Sequence, residues 1–134
     1  MAQPVIVDTD ILIDFGLDRP DAVQTMAKLE ENSIITVSVI TAMELYAGWR
    51  SKKDLKKVEE LLSGISIELV TKAVSEKAFE LMKIFSPSHG VEINDMLIAA
   101  TAITLEVKLI TKNQKHYMFL PGLDLLKYPV IEIL

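Results

Sequence analysis

No cysteine occurs among the 134 residues, which excludes a disulfide framework and any cysteine-ligated metal site. Long hydrophobic runs are also missing: no stretch reaches the ~20 consecutive apolar residues that a membrane-spanning helix needs. The opening segment, MAQPVIVDTDILIDFG, lacks a basic lead, and Asp8, Asp10 and Asp14 interrupt its apolar stretch. It reads neither as a signal peptide nor as an anchor, and the expected compartment is the cytoplasm. An excess of basic charge is absent as well, with 14 basic side chains against 19 acidic ones and a formal net charge of −5. That balance argues against a general nucleic-acid coating protein, which is normally basic. It leaves room for a nucleic-acid enzyme whose acidic excess is concentrated in a metal site. There is no internal repeat, low-complexity segment or linker.

Half of the chain is apolar. A chain this long buries roughly two thirds of its unfolded surface, enough for one ordinary core, so a single domain over residues 1–134 is expected. Short continuous apolar runs alternate with longer amphipathic stretches, the pattern of an α/β fold whose parallel sheet carries helices on both faces. Val5-Ile6-Val7 is a β-branched run ended by Asp8, as in a buried central strand. Further strands are expected at 34–37, 65–70, 107–110 and, at an edge, 130–133. Helices are expected at 10–17, 22–31, 39–49, 52–62, 72–85 and 93–104. Val23, Met26, Ala27 and Leu29 are assigned to the apolar side of the second of these, and Ser38 is a suitable N-cap for the third. Ser86-Pro87-Ser88-His89-Gly90 reads as the clearest loop.

Ligands of open α/β sheets sit beyond the carboxyl ends of the strands. Asp8 lies at such an end, with Asp10 two residues on. A turn or helix-capping role suits Asp8 equally well when it is taken alone. Glu44 is more informative, because Val39-Ile40-Thr41-Ala42-Met43-Glu44-Leu45-Tyr46-Ala47 offers almost no polar face. A buried, unpartnered carboxylate is costly enough to take up a proton, so Glu44 needs a cation, a hydrogen-bond donor or a metal. The alternative is a narrow solvent stripe beside Thr41 and Gly48. Asp95 opens a helix rich in small apolar residues, Met96-Leu97-Ile98-Ala99-Ala100-Thr101-Ala102. There the helix dipole alone favours an acid, by ~0.3 to 1 kcal/mol.

Taken together, Asp8, Glu44 and Asp95 each end or open a different element that a doubly wound sheet can bring to one edge. Converging carboxylates repel unless a divalent ion neutralises them, and oxygen-only ligands point to Mg²⁺ or Mn²⁺ rather than zinc. Such a site suits phosphodiester hydrolysis. One metal lowers the pKa of a water, and a second, ~3.5 to 4 Å away, can stabilise the leaving oxygen.

Four segments in order, Val7-Asp8-Thr9-Asp10, Ser38 to Gly48, Asn94 to Ala102, and Leu109 to Tyr117, resemble the PIN domain, and more narrowly the VapC toxins of prokaryotic toxin–antitoxin pairs. The similarity runs from about Val5 to about Leu125. It implies a metal-dependent endoribonuclease on a three-layer α/β/α sandwich with a central, mainly parallel five-stranded sheet. It further implies Asp8, Glu44 and Asp95 as metal-binding acids, a homodimer, and a VapB-like antitoxin whose segment covers the cleft. Thr111 matches a hydroxyl position that helps hold the site or its water. The chain departs from the family at the fourth acid, where Asn113 and His116 stand in the two places that an acid takes. Asn113 can lend a carbonyl oxygen but no charge, which implies one well-held metal and a weaker second. Asp10 restores some charge or simply caps the helix at Ile11.

Lys112, Lys115, His116 and Tyr117 lie beside the expected site and can contact RNA phosphate or stack a base, or are merely solvated. His89 reads as structural or exposed. Tyr46 and Trp49 read as core, with a partner surface as the second reading. Two other functions compete with the ribonuclease. One is a non-catalytic PIN-like module that binds RNA or protein, weakened by Asn113. The other is a haloacid-dehalogenase-like phosphatase with Asp8 as nucleophile, which leaves Glu44 without a role.

Overall fold

The computed structural model describes residues 2–130. Its sheet has five strands, β1 (Gln3–Val7), β2 (Ser33–Ser38), β3 (Ser66–Glu68), β4 (Lys108–Ile110) and β5 (Asp124–Leu126). They lie in the order β3-β2-β1-β4-β5, and every pairing is parallel. Six helices accompany them: α1 (Thr9–Gly16), α2 (Pro20–Asn32), α3 (Val39–Ala47), α4 (Lys52–Leu62), α5 (Lys72–His89) and α6 (Ile93–Leu105). Among the described residues no helix is long and apolar enough to cross a membrane.

Strand periodicity splits the core into two. Side chains alternate across a pleated strand, so Val5 and Val7 face one side and Ile6 the other. Val5, Val7, Val37 and Ile110 pack with α1 to α4, through Ile11, Leu12, Met26, Leu29 and Leu45. Ile6 and Leu109 pack with α5 and α6, through Leu81, Met96, Ile98 and the fully buried Ala99, Ala100 and Ala102. The small side chains of α6 let its backbone lie close against both the sheet and α5. The result is the three-layer α/β/α sandwich expected from the sequence.

The strand order reverses at β1. The chain winds outward from β1 to β3 on one side, then returns to place β4 and β5 on the other. This reversal opens a crevice beyond the carboxyl ends of β1 and β4, where ligands of open α/β sheets bind.

Several local expectations are corrected. Helix α5 does not stop before the Ser-Pro-Ser-His run but continues through Pro87 to His89, ending at Gly90 in the left-handed region (φ 60°). The His89 ring stacks on Phe119 with centroids 3.9 Å apart and planes at 15°, and tertiary packing of this kind holds a turn that the local sequence does not favour. On α2 the inward face is Ala22, Thr25, Met26 and Leu29, whereas Val23 and Ala27 are exposed. The helix starts at Pro20, and this rotation places Thr25 where its hydroxyl accepts a hydrogen bond from the Val130 amide at 3.0 Å. Tyr46 and Trp49 are exposed rather than core, because the short α3 buries only Thr41, Ala42 and Leu45. The edge strand expected at 130–133 lies outside the described residues except for Val130, which is buried but not in a strand; the described edge strands are β3 and β5, the latter beside β4.

Candidate active site

Asp8 is delivered by β1. Its backbone amide donates to the Ile110 carbonyl at 3.0 Å, which extends the β1–β4 pairing by one bond and fixes the side chain at the mouth of the crevice. Only 5% of the residue is exposed. One carboxylate oxygen accepts from the Thr9 amide at 2.7 Å, capping α1, and the other from the Thr111 hydroxyl at 2.8 Å. The capping role and the site role that the sequence left open are therefore both filled by one side chain. Burial, reinforced by the charge of Asp10, pushes the carboxyl up to about 6, although bonds from Thr111, Thr9 and Tyr117 favour the ionised form.

Glu44 reaches the same crevice from α3. The Thr9 hydroxyl donates to one of its carboxylate oxygens at 2.6 Å, and the Asn94 amide donates to the other at 3.2 Å. A hydroxyl carries one proton, so the 3.0 Å contact between the Thr9 and Thr41 oxygens leaves Thr41 as the donor to Thr9. Thr9 thus binds Asp8 through its amide and Glu44 through its hydroxyl. Thr41 is fully buried, so Glu44 does not share a solvent stripe with it.

Asp95 enters from the first turn of α6. Tyr117 donates its phenol proton to Asp95 at 3.1 Å and lies within hydrogen-bonding reach of Asp8 as well. Its ring is fully buried, so it cannot stack a base. Burial, with the charges of Asp8 and Asp95, holds the phenol far above its ordinary range, so it stays a donor at any physiological pH. Asp95 is itself raised, chiefly by burial, against the opposing effects of the Tyr117 bond and of His116, whose Nδ1 stands 3.4 Å from the other carboxylate oxygen.

The loop after β4 closes the site. Thr111 is fully buried and lies 3.2 Å from Asp10 in addition to its shorter bond to Asp8. Asp10 accepts from the Lys112 amide at 3.2 Å, so it ties α1 to this loop. Lys112 extends its ammonium to Asp14 at 2.6 Å. Asn113 is exposed; its amide donates to the Thr111 hydroxyl oxygen at 3.1 Å, while its side chain enters none of the carboxylate hydrogen bonds among the described residues.

Asp8, Glu44 and Asp95 are therefore gathered at one crevice and linked by Thr9, Asn94 and Tyr117. Among the described residues no three His, Asp or Glu side chains stand at direct metal-ligating spacing. Each carboxylate is held by a protein donor, and a cation would exchange those hydrogen bonds for its own. The ligand atoms that Asp8, Glu44 and Asp95 offer are all oxygen, which fits a hard divalent ion. Taking Asp8 as a phosphatase nucleophile leaves without a role Glu44 and Asp95, which the crevice gathers beside it.

Sequence reasoning missed Thr9 and Asn94, and it placed Tyr117 beside the site as an RNA contact and not as the buried donor to Asp95. Thr9 stands between two aspartates and Asn94 precedes a third, but nothing local signals that Tyr117 turns inward. Replacing Tyr117 by Phe keeps the ring and removes the donor that Asp95 and Asp8 share. The expected result is a 10- to 100-fold loss of divalent-ion affinity, the cost typical of an outer-shell partner, read by titration calorimetry.

A family model described as the PIN domain matches residues 5–118. Ribonuclease VapC19 of Mycobacterium tuberculosis is 33% identical over 121 residues, covering 89% of this chain and 96% of the relative. Among solved structures, VapBC2 from Rickettsia felis bound to a DNA fragment from its promoter gives a TM-score of 0.80 at 26% identity, covering 93% of this chain and 98% of that one. A toxin–antitoxin complex from Klebsiella pneumoniae gives 0.77 at 27% identity, covering 94% and 99%. With the strand order and the crevice acids in place, these likenesses make the chain a member of the PIN domain family, of the VapC kind.

Proposed function

We propose that this chain is a single PIN domain over residues 1–134 that acts as a cytoplasmic endoribonuclease, the toxin of a type II toxin–antitoxin pair. The observation that carries the reading is the meeting of Asp8, Glu44 and Asp95 at the sheet's reversal point in a chain of this family. Asp8, Glu44 and Asp95 would hold Mg²⁺ or Mn²⁺. Such an ion supplies Lewis acidity, lowering the pKa of an attacking water and neutralising charge on the scissile phosphate. The protein's own part is positional. Thr9 and Thr111 aim Asp8 and Glu44, Tyr117 aims Asp95, and Asn113 lends its amide to Thr111. Water attacks phosphorus directly, with no covalent enzyme intermediate.

Two partners belong to this reading, a VapB-like antitoxin and a second copy of the chain. A groove of about 310 Å³ between α1, α3 and α4 supports the first, since Ile13, Leu17 and Trp49 line it with exposed apolar surface and Glu44 stands at its rim. Met43 and Tyr46 extend that apolar surface along α3.

The purified protein should cleave single-stranded RNA with Mg²⁺ or Mn²⁺, lose activity in EDTA and regain it when excess ion is restored. Cleavage indifferent to EDTA overturns the metal reading. RNA binding without cleavage, and without divalent affinity by calorimetry, identifies a non-catalytic module instead.

A further inference from the structure

We propose that the cleft between the end of α5 and the turn after β4 seats one unpaired nucleotide beside the scissile phosphate, its base stacked on His89 and its phosphate on Lys115. This rests on the ribonuclease reading and adds to it a residue that sets which RNA positions are cut. The cleft has a volume of about 140 Å³ and is lined by His89, Glu92, Asp95, Lys115, His116 and Phe119. Asp95 is thus a shared wall between this space and the acidic crevice. The volume is well under the ~300 Å³ of pockets for drug-sized ligands and suits a single heterocycle.

The walls set the rings of His89 and Phe119 beside Lys115 and His116, with the carboxylates of Glu92 and Asp95 also on the lining. Phe85 and Phe119 stand 5.2 Å apart at a tilt, and His89 lies parallel on Phe119, so the three rings form a compact triangular cluster. Phe85 also meets the His89 ring edge-on at 5.7 Å. His89 remains exposed, and its Nδ1 lies 2.7 Å from the Ser88 hydroxyl, which fixes the ring's orientation. Helix α5 has to continue through Pro87 to put His89 there. Gly90, which follows, has nothing within 4 Å of where a Cβ would stand, so the cleft mouth is clear. Single-stranded nucleic acid is held by this pairing of aromatic faces for bases with cations for the backbone.

Charge selects Lys115 as the phosphate contact. Lys112 is engaged by Asp14, whereas Lys115 enters none of the ion pairs found among the described residues. His116 turns toward Asp95 on the same turn of 3₁₀ helix, Gln114–His116, and places a second N–H group at the junction of cleft and crevice.

The test is fluorescence anisotropy with a labelled single-stranded RNA in EDTA, followed by mapping of cleavage positions with Mg²⁺. His89→Ala should weaken binding roughly tenfold, in line with the loss of one base–aromatic stack, and should redistribute the cleaved positions with KM affected more than kcat. Lys115→Ala should weaken binding and flatten its salt dependence. His89→Phe keeps a ring on Phe119 and should bind as the wild type does, and all three variants are compared at matched thermal stability. Unchanged affinity and cleavage positions in His89→Ala overturn the proposal. So does a loss in His89→Phe equal to that in His89→Ala, or equal affinity for duplex and single-stranded RNA. Failure of the wild type to cleave any RNA with a divalent ion overturns the ribonuclease reading instead, and the anisotropy arm, which needs no cleavage, still decides the nucleotide seat.

Discussion

Asp8→Asn should lower RNA cleavage by more than 100-fold while raising the melting temperature of the metal-free protein. The activity loss follows from removing a charge that would hold the cation directly, which should exceed the 10- to 100-fold cost of losing an outer-shell partner. The stability gain has the opposite sign because Asp8 ionises at a cost. Its carboxyl is raised from 3.8 to about 6, so the folded state holds the proton more tightly than the unfolded state does. That contribution to stability, about 3 kcal/mol, is complete below pH ~4 and is lost as pH rises through about 6, so that it is absent at pH 8. Asparagine removes the penalty and keeps most of the geometry. Its carbonyl can accept from the Thr9 amide and its NH₂ can donate to Thr111, whose own proton then turns to Asp10, 3.2 Å away. Less the weakened hydrogen bonds, the gain should be about 1 to 3 kcal/mol, or roughly 5 to 10 °C. Calorimetry in EDTA should find it at pH 8 and not at pH 4. Divalent affinity of the wild type should rise with pH through about 6, as Asp8 loses its proton. A variant that melts lower than the wild type at pH 8 would show that Asp8 is a structural carboxylate rather than a strained one.

Asp95→Asn should cost as much activity and almost nothing in stability. Asp95 is less buried than Asp8, with its side chain 22% exposed, and an asparagine carbonyl still accepts the Tyr117 phenol. The group opens α6, so losing its charge forfeits ~0.3 to 1 kcal/mol of interaction with the helix dipole, offset by relief of burial. The variant should therefore fold normally, bind RNA and fail to cut it with either Mg²⁺ or Mn²⁺. Full divalent-dependent cleavage by Asp95→Asn would falsify the three-acid site. Retained RNA binding without cleavage separates loss of chemistry from loss of substrate.

What could be read from the sequence was what local pattern determines. The β-branched run before Asp8, the Ser38 cap and the amphipathic 52–62 stretch each need only their neighbours to declare themselves, and each forms as expected. The acids were legible because a carboxylate in an apolar helix, or at the end of a buried strand, demands a partner. The partners were not legible, since Thr9, Asn94 and Tyr117 serve acids on other elements, and the bond from Asn94 to Glu44 spans 50 positions. The last turn of α5 is hidden from local pattern for the same reason. Ser-Pro-Ser-His reads as a loop until Phe119, thirty residues on, supplies a surface for His89. Tyr46 and Trp49 are apolar enough for a core, but α3 is too short to bury more than one face.

The division of the core into two layers has a bearing on how mutations distribute their effects. Asp8 is anchored by a strand shared between the layers, Glu44 by a helix of one layer and Asp95 by a helix of the other. The crevice is therefore a seam, and its width is set by how far each helical layer stands off the sheet. An enlarged side chain at Ala99 or Ala100 should lift α6 and move Asp95, and with it Asn94, the donor to Glu44. Overpacking at these fully buried positions costs about 1 to 3 kcal/mol, so the spacing of the acids and the melting temperature should change together.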